Sequence, residues 1–147
     1  MKTDLIATTD KVFFDTNILV YAYDRRDPDK QERAFELLAD AITNENGVVS
    51  AQVLGEFYNA TTRRASNPLP EEVVREAISL FTTLPVMEID LGLVQRAVGT
   101  CNRYRISYWD ALIIAAAEKA GCTQIISEDF NPGQTYHDIL IVNPFQS

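Results

Sequence analysis

The sequence has few cysteines, a single histidine and no long apolar run. Cys101 and Cys122 show neither metal-ligand spacing nor a secretory context, so we expect two reduced structural thiols. The longest uninterrupted apolar run covers residues 111–117, far short of the ~20 residues that a membrane span needs. The first residues lack the apolar core of a signal peptide. We therefore expect a cytoplasmic protein with no membrane segment.

Basic residues are also scarce. The 13 basic and 21 acidic residues give a net charge of −8, which argues against broad electrostatic attraction to nucleic acid. Composition alone would suggest an enzyme acting on a small molecule. The chain contains no repeat, no low-complexity stretch and no block of five like charges. At ~100–200 residues per domain, we expect one domain spanning residues 1–147.

Five short apolar segments alternate with helical patterns. The predicted strands cover residues 11–14, 47–49, 86–89, 124–126 and 139–142. The predicted helices begin behind Asp27-Pro28, at Pro70 and behind Ser107, and also cover residues 52–64 and 91–104. Short buried strands separated by helices predict a parallel sheet of about five strands in a three-layer α/β/α domain. Ligands of such folds bind beyond the carboxyl ends of the strands, where strand order reverses.

Acidic side chains stand where two of these strands end. Asp15 directly follows the first strand and precedes Thr16 and Asn17, a set that is also typical of a turn or a helix cap. Asp129 follows the fourth strand, where a solvated loop is the simplest interpretation. Spacing leaves open whether Glu128 or Asp129 points inward.

Two further acids lie on predicted helices. Glu56 has no cationic residue at its helical neighbours, which leaves a surface position and a functional position about equally open. Asp110 opens the most apolar helix of the chain. Capping behind Ser107 explains Asp110 fully, although a capping carboxylate retains lone pairs that can also face an ion.

Taken together, the four acids predict a cation site at one end of the sheet. Like-charged carboxylates a few Å apart either share protons or bind a cation. An oxygen-only cluster without His or Cys suits Mg²⁺ or Mn²⁺ and not Zn²⁺. The single histidine, His137, falls in a predicted loop, and we expect it at the surface.

Four segments, in this order, resemble the PIN-domain family: FFDTNILVYA, QVLGEF, SYWDALI and IISEDF. Size and motif order most resemble the toxin ribonucleases of VapBC toxin–antitoxin modules, over residues 11–142. The resemblance implies an acidic quartet with two accompanying polar residues: Asp15, Glu56, Asp110 and Asp129 with Asn17 and Ser127. It also implies a five-stranded parallel sheet and cleavage of RNA with Mg²⁺ or Mn²⁺. Toxins of this family commonly form homodimers and are inhibited by a cognate antitoxin.

The mechanistic hypothesis is metal-dependent hydrolysis of phosphodiester bonds. Asp15 and Asp110 would be the core ligands, with Glu56 and Asp129 as further ligands, directly or through water. Asn17 and Ser127 would orient water or a carboxylate by hydrogen bonding. Spacing leaves open whether one ion or two are bound.

Contact with RNA must be local, because setting the four acids aside leaves 13 basic residues against 17 acidic ones, a balance of −4. The candidate phosphate contacts are three arginine pairs: Arg25 and Arg26, Arg63 and Arg64, Arg103 and Arg105. For any one pair, solvated charges at a helix end are the commoner explanation. Four tyrosines are candidates for base stacking, although burial in the core is commoner: Tyr21, Tyr23, Tyr104 and Tyr108.

Three alternatives compete with a toxin ribonuclease. The first is a solitary PIN nuclease in RNA processing, and the second is a catalytically silent scaffold that binds RNA or protein. The third is a signalling receiver domain, which also binds Mg²⁺ at strand ends. A receiver needs adjacent acids after the first strand and a lysine after a late strand. Here Thr16 follows Asp15, and the last lysine, Lys119, precedes the fourth strand.

Overall fold

The computed structural model describes residues 9–146, which form a six-stranded sheet flanked by helices. The strands are β1 Val12–Phe14, β2 Gly47–Ser50, β3 Val86–Met87, β4 Gln124–Ile126, β5 Thr135–Tyr136 and β6 Ile139–Val142. The helices are α1 Thr16–Tyr21, α2 Pro28–Asn44, α3 Ala51–Tyr58, α4 Glu71–Phe81, α5 Leu91–Tyr104 and α6 Tyr108–Lys119. No helix within the described range is long and apolar enough to cross a membrane.

The predicted α/β architecture with a parallel sheet is confirmed. Strand order is β3-β2-β1-β4-β6-β5, and all neighbouring pairs are parallel except β5 with β6. Five strands lie where the apolar runs predict them. The sixth, β5, is a two-residue strand that pairs with β6 through a tight turn at His137 and Asp138, both with positive φ. Two residues carry too little periodicity to be read from sequence.

Side-chain caps explain where most helices begin. Asp27, Asp90 and Ser107 each accept a hydrogen bond from the backbone N–H three residues later, at the starts of α2, α5 and α6. Helix α1 was not predicted, because six residues with three β-branched side chains give a weak helical signal. Its Asp15 cap and the burial of Ile18 and Leu19 stabilise it in the fold.

The predicted helix over residues 52–64 is α-helical only to Tyr58 and continues as a wider π-helical turn, Asn59–Arg63. The Thr61 hydroxyl donates to the Phe57 carbonyl at 2.7 Å, and the Thr62 hydroxyl donates to the Tyr58 carbonyl. These hydroxyls compete with backbone N–H groups for the helical carbonyls and favour the wider turn.

Strand order places β1 at the centre of the sheet, with β2 on one side and β4 on the other. The chain runs outward through β2 and β3 and then returns to pair β4 with β1, so strand order reverses between β1 and β4. In the register of these strands, Phe14 pairs with Ile126. Asp15 and Ser127, the next residue of each strand, therefore leave the sheet side by side.

We expect Gly47→Ala to destabilise the protein by roughly 1–3 kcal/mol through overpacking. A methyl group at Gly47 would lie 2.9 Å from Ala41 Cβ, 2.9 Å from Leu84 Cδ2 and 3.1 Å from Phe14 Cε2. Gly99→Ala, on the exposed face of α5 with nothing within 4 Å, is the matched control and should stabilise by roughly 0.5–1 kcal/mol. Denaturant unfolding measures both, and equal stability of the two variants would contradict the packing argument.

Candidate active site

Asp15 is a buried carboxylate at the carboxyl end of the central strand, only 5% exposed. One oxygen accepts the Thr16 backbone N–H at 2.7 Å, and the other accepts the Ser127 hydroxyl at 2.7 Å. Burial raises the pKa of Asp15 from 3.8 to about 6, against the lowering effect of these two hydrogen bonds. The charges of Asp129 and Glu56 raise the pKa further. Asp15 is thus a carboxylate whose ionised form is poorly compensated.

Ser127 connects Asp15 to the loop that follows β4. Its side chain is fully buried, and its hydroxyl oxygen accepts the backbone N–H groups of Asp129 at 3.1 Å and Phe130 at 3.4 Å. The same hydroxyl donates a hydrogen bond to the Asp15 carboxylate. Ser127 therefore fixes the loop of Asp129 relative to the end of β1.

Glu56, on α3, is held by two side chains that sequence reasoning did not single out. The Thr16 hydroxyl donates to Oε1 at 2.6 Å, and the Gln52 amide donates to Oε2 at 3.2 Å. Gln52 also donates to the Trp109 carbonyl at 3.1 Å, which ties α3 to the start of α6. Two features could have indicated these partners: Thr16 follows Asp15, and Gln52 precedes Glu56 by one helical turn.

Asp110 lies at the surface on the first turn of α6. The hydroxyl of Ser107 accepts the Asp110 backbone N–H at 3.1 Å, which is the predicted capping contact. Partial burial raises the pKa of the Asp110 carboxyl, and the charges of Asp129 and Glu56 add to the effect. The Ser107 hydroxyl also bonds the Asp110 carboxyl, which lowers its pKa against these effects.

The ambiguity between the adjacent acids Glu128 and Asp129 is resolved by their partners. Glu128 accepts the Tyr21 hydroxyl at 2.6 Å and forms an ion pair with Lys30. Burial opposes its ionisation, but these hydrogen bonds hold its pKa below the usual range. Asp129 lies instead within electrostatic reach of Asp15 and Asp110, whose pKa values it raises.

Asn17 supports the same loop. Its side-chain carbonyl accepts the Glu128 backbone N–H at 3.3 Å. Its amide nitrogen is buried and has no acceptor among residues 9–146. A buried donor without a partner is unfavourable, so this N–H suits an oxygen supplied from outside the described chain, such as that of a water molecule.

The four acids have no cationic side chain paired with them in the described part of the chain. Their donor set is carboxylate oxygen only, which suits Mg²⁺ or Mn²⁺. Within residues 9–146, no three His, Cys, Asp or Glu side chains are grouped closely enough to hold one ion together.

A model of the PIN domain matches residues 12–136 of the sequence. The chain belongs to the PIN-domain family. The match covers most of the chain and includes all four acids. This membership excludes the receiver-domain alternative. No curated protein sequence matches the chain significantly.

Three solved structures share this fold at 15–22% identity. VapC20 of Mycobacterium tuberculosis, a toxin that cleaves the sarcin–ricin loop, has a TM-score of 0.64 and 22% identity, covering 81% of this chain and 90% of its own. A toxin–antitoxin complex from Klebsiella pneumoniae has a TM-score of 0.67 and 18% identity, covering 93% and 100%. VapBC2 of Rickettsia felis, bound to a promoter DNA fragment, has a TM-score of 0.65 and 15% identity, covering 88% and 96%.

The arginine candidates of this PIN domain differ in their partners. Arg26 forms an ion pair with Asp24 at 2.9 Å, and the Arg103 guanidinium lies 3.3 Å from the His137 ring and over the Tyr104 ring. The other four candidates are exposed and form no ion pair within residues 9–146: Arg25, Arg63, Arg64 and Arg105. These four side chains are therefore available to contact an anionic ligand.

Three of the four candidate tyrosines are engaged inside the PIN domain. Tyr21 bonds Glu128, Tyr23 packs edge-on against Phe57 and Phe81, and Tyr104 packs against Tyr136. All four are half-buried, and Tyr108 packs edge-on against Trp109.

His137 is not the surface residue that its loop position predicts. Its side chain is 16% exposed and bonds the Thr100 hydroxyl at 2.8 Å, and its backbone N–H donates to the Tyr104 hydroxyl at 2.8 Å. These contacts dock the β5–β6 turn on α5. The cysteines are free thiols, as predicted, with Cys122 buried.

We expect Asp15→Asn to be more stable than the unsubstituted PIN domain near neutral pH when metal is chelated. The raised pKa means that the folded state disfavours the charge that the unfolded chain carries freely, at a cost of about 3 kcal/mol above pH ~6. The difference should shrink as the pH falls from about 6 towards 4, because folded Asp15 then takes up a proton.

Denaturant unfolding in EDTA at about pH 8 and about pH 5 measures this difference. Glu72→Gln removes an exposed acid on α4 and is the control. At the higher pH it should gain no stability over the unsubstituted protein. A stability gain for Asp15→Asn that is the same at both pH values would contradict the argument from burial.

Proposed function

We propose that this PIN domain is an endoribonuclease dependent on Mg²⁺ or Mn²⁺ and acts as the toxin of a toxin–antitoxin module. One observation carries the proposal: the buried Asp15 carboxylate lies at the end of the central strand within electrostatic reach of Asp129 and Glu56, and no cationic side chain of the described residues pairs with the four acids. A bound cation would offset the unfavourable burial and the mutual repulsion of these carboxylates.

The four acids would share the coordination of the metal. Asp15 and Asp110 are the core ligands, and Glu56 and Asp129 complete the site directly or through water. Bound Mg²⁺ or Mn²⁺ would activate a water for attack and offset the charge that develops on the phosphate. The pKa values of Asp15 and Asp110 are raised, so a cation bound beside these two carboxylates would stabilise their ionised forms most.

The remaining side chains orient these acids and the water. Ser127 and the Thr16 backbone fix the Asp15 carboxylate, while the Thr16 hydroxyl and Gln52 fix Glu56. The free amide N–H of Asn17 would donate to a water oxygen beside the acids. Positioned ligands lower the cost of reorganisation during the reaction.

We infer the partners from the structural neighbours. Of these, the Klebsiella pneumoniae structure is a toxin–antitoxin complex, and the Mycobacterium tuberculosis toxin cleaves the sarcin–ricin loop. By similarity of fold, we propose a cognate antitoxin, a homodimer and an RNA substrate in the cytoplasm. A solitary processing nuclease would have the same site without an antitoxin. The four acids, all present, disfavour a silent scaffold.

We expect RNA cleavage that requires a divalent metal and is lost in Asp110→Asn. The assay is gel analysis of a mixed RNA panel, including transfer RNAs, with Mn²⁺ or with EDTA. Loss of a ligand should cost at least the roughly 10–100-fold that follows loss of a residue supporting a metal ligand. Circular dichroism shows whether the variant is folded. Cleavage that persists in EDTA, or in folded Asp110→Asn, would contradict the mechanism.

The adjacent acids provide a matched control for the same assay. Asp129→Asn should lose cleavage as Asp110→Asn does, whereas Glu128→Gln should retain most of it, because Glu128 is bound to Lys30 and Tyr21. Equal losses in the two variants would argue that this loop acts by its conformation and not through the Asp129 carboxylate.

We expect charge reversal at Arg63 and Arg64 to weaken RNA binding and flatten its salt dependence. Both side chains are exposed and unpaired within the described residues, at the end of the helical segment that carries Glu56. Each lost phosphate contact should reduce the slope of log K against log salt by about 0.7–0.9. An unchanged slope would remove the pair from the interface.

A further inference from the structure

Trp109, the only tryptophan of the chain, is exposed at the start of α6. Its side chain is 62% exposed, although an indole is usually buried for most of its surface. It immediately precedes Asp110 on the first turn of α6. Packing in the described structure therefore does not account for this ring.

The ring is nevertheless held in a defined position. Tyr108 contacts it edge-on, with ring centroids 5.0 Å apart and planes at 74°. The Trp109 carbonyl accepts the Gln52 amide, and the same amide donates to Glu56. The backbone of Trp109 is thus tied to an acid of the site, and a positioned ring loses little freedom when a ligand binds.

We propose that Trp109, supported by Tyr108, is a stacking platform for an unpaired nucleobase next to the scissile phosphate. The inference rests on the proposed ribonuclease function and identifies the substrate as RNA with an unpaired nucleotide at the cleavage site. Stacking on an aromatic ring strengthens binding by about 5- to 150-fold per base and needs no positive charge. Positive charge is what this chain lacks, at a net charge of −8.

Position favours a nucleobase over a protein partner. A phosphate attacked at the acids must lie beside Asp110, and the bases attached to that phosphate extend over neighbouring side chains. Trp109 is the adjacent residue, and its carbonyl shares Gln52 with Glu56. The backbone of Trp109 is therefore tied to the acidic group, and in the proposed complex its ring lies against a base of the bound strand.

A second exposed apolar residue provides the control. Leu91 is 72% exposed at the start of α5, where its capping neighbour Asp90 pairs with Lys119 in the last turn of α6. The Asp90–Lys119 pair places Leu91 near the far end of α6, and Lys119 lies about 15 Å from Trp109 along that helix. Leu91→Ala removes exposed apolar surface without touching the acidic group.

The test is binding of a fluorescein-labelled single-stranded oligoadenylate in EDTA, followed by anisotropy. We expect Trp109→Ala to weaken binding by about 5- to 150-fold, Trp109→Phe to restore most of the affinity, and Leu91→Ala to leave it unchanged. The salt slope should not change in Trp109→Ala, because no phosphate contact is lost. Thermal unfolding should be unaffected, because the ring is exposed.

Tryptophan fluorescence gives a direct signal, since Trp109 is the only indole. Unlabelled oligoadenylate should quench it saturably, and the same strand annealed to oligouridylate should quench it much less. Equal affinity of Trp109→Ala and the unsubstituted protein for the single strand would overturn the proposal, as would equal quenching by the duplex. Loss of self-association or antitoxin binding in Trp109→Ala with RNA affinity intact would also overturn it, and would assign the ring to a protein contact.

Cleavage assays separate this inference from the proposed function. Metal-dependent cleavage by Trp109→Ala with unchanged kcat/KM would overturn the platform and leave the nuclease intact. Oligoadenylate binding that depends on Trp109, in a protein that cleaves no RNA, would support the platform and overturn the nuclease. Reduced kcat/KM in Trp109→Ala, restored by Trp109→Phe, would support both.

Discussion

The arrangement of the site depends on one buried carboxylate at the end of the central strand. Asp15 is only 5% exposed, and its compensation comes from one hydroxyl and one backbone N–H, with no cationic partner among the described residues. Burial raises its pKa to about 6, which means that the fold tolerates this charge without stabilising it. A cation that binds there would relieve an unfavourable state and so stabilise the fold as it completes the site.

Hydrogen bonds extend from Asp15 through neighbouring elements. Ser127 joins it to the loop after β4, and Thr16 joins it to Glu56, because the Thr16 backbone bonds one acid and its hydroxyl bonds the other. Gln52 extends this hydrogen-bond network from Glu56 to the backbone carbonyl of Trp109, the residue before Asp110. The acids are therefore positioned by short polar side chains on rigid elements. A displacement of any one element would alter the spacing of the carboxylates on the others.

The strands, the longer helices and the position of the site could be predicted from sequence, because buried parallel strands give short apolar runs and ligands of such sheets lie at the carboxyl ends. Which of Glu128 and Asp129 faces the other acids could not be predicted. Adjacent loop residues have no periodicity that distinguishes them, and the choice depends on Lys30 and Tyr21, which lie about a hundred positions earlier in the chain. The hydrogen bonds of Thr16 and Gln52 could not be predicted either, because they form only when α1, α3 and α6 pack together.

Net charge constrains how such a protein can bind a polyanion. At −8, or −4 with the four acids set aside, long-range attraction does not bring RNA to the surface. In the proposed ribonuclease, binding would rely on a few exposed arginines, on cations held by the acids, and on contacts that carry no charge. The cation and RNA would then be coupled ligands, because uncompensated carboxylates repel a phosphate and a bound cation attracts it. In the platform that we propose, the exposed indole of Trp109 would add the uncharged contribution, which salt does not screen.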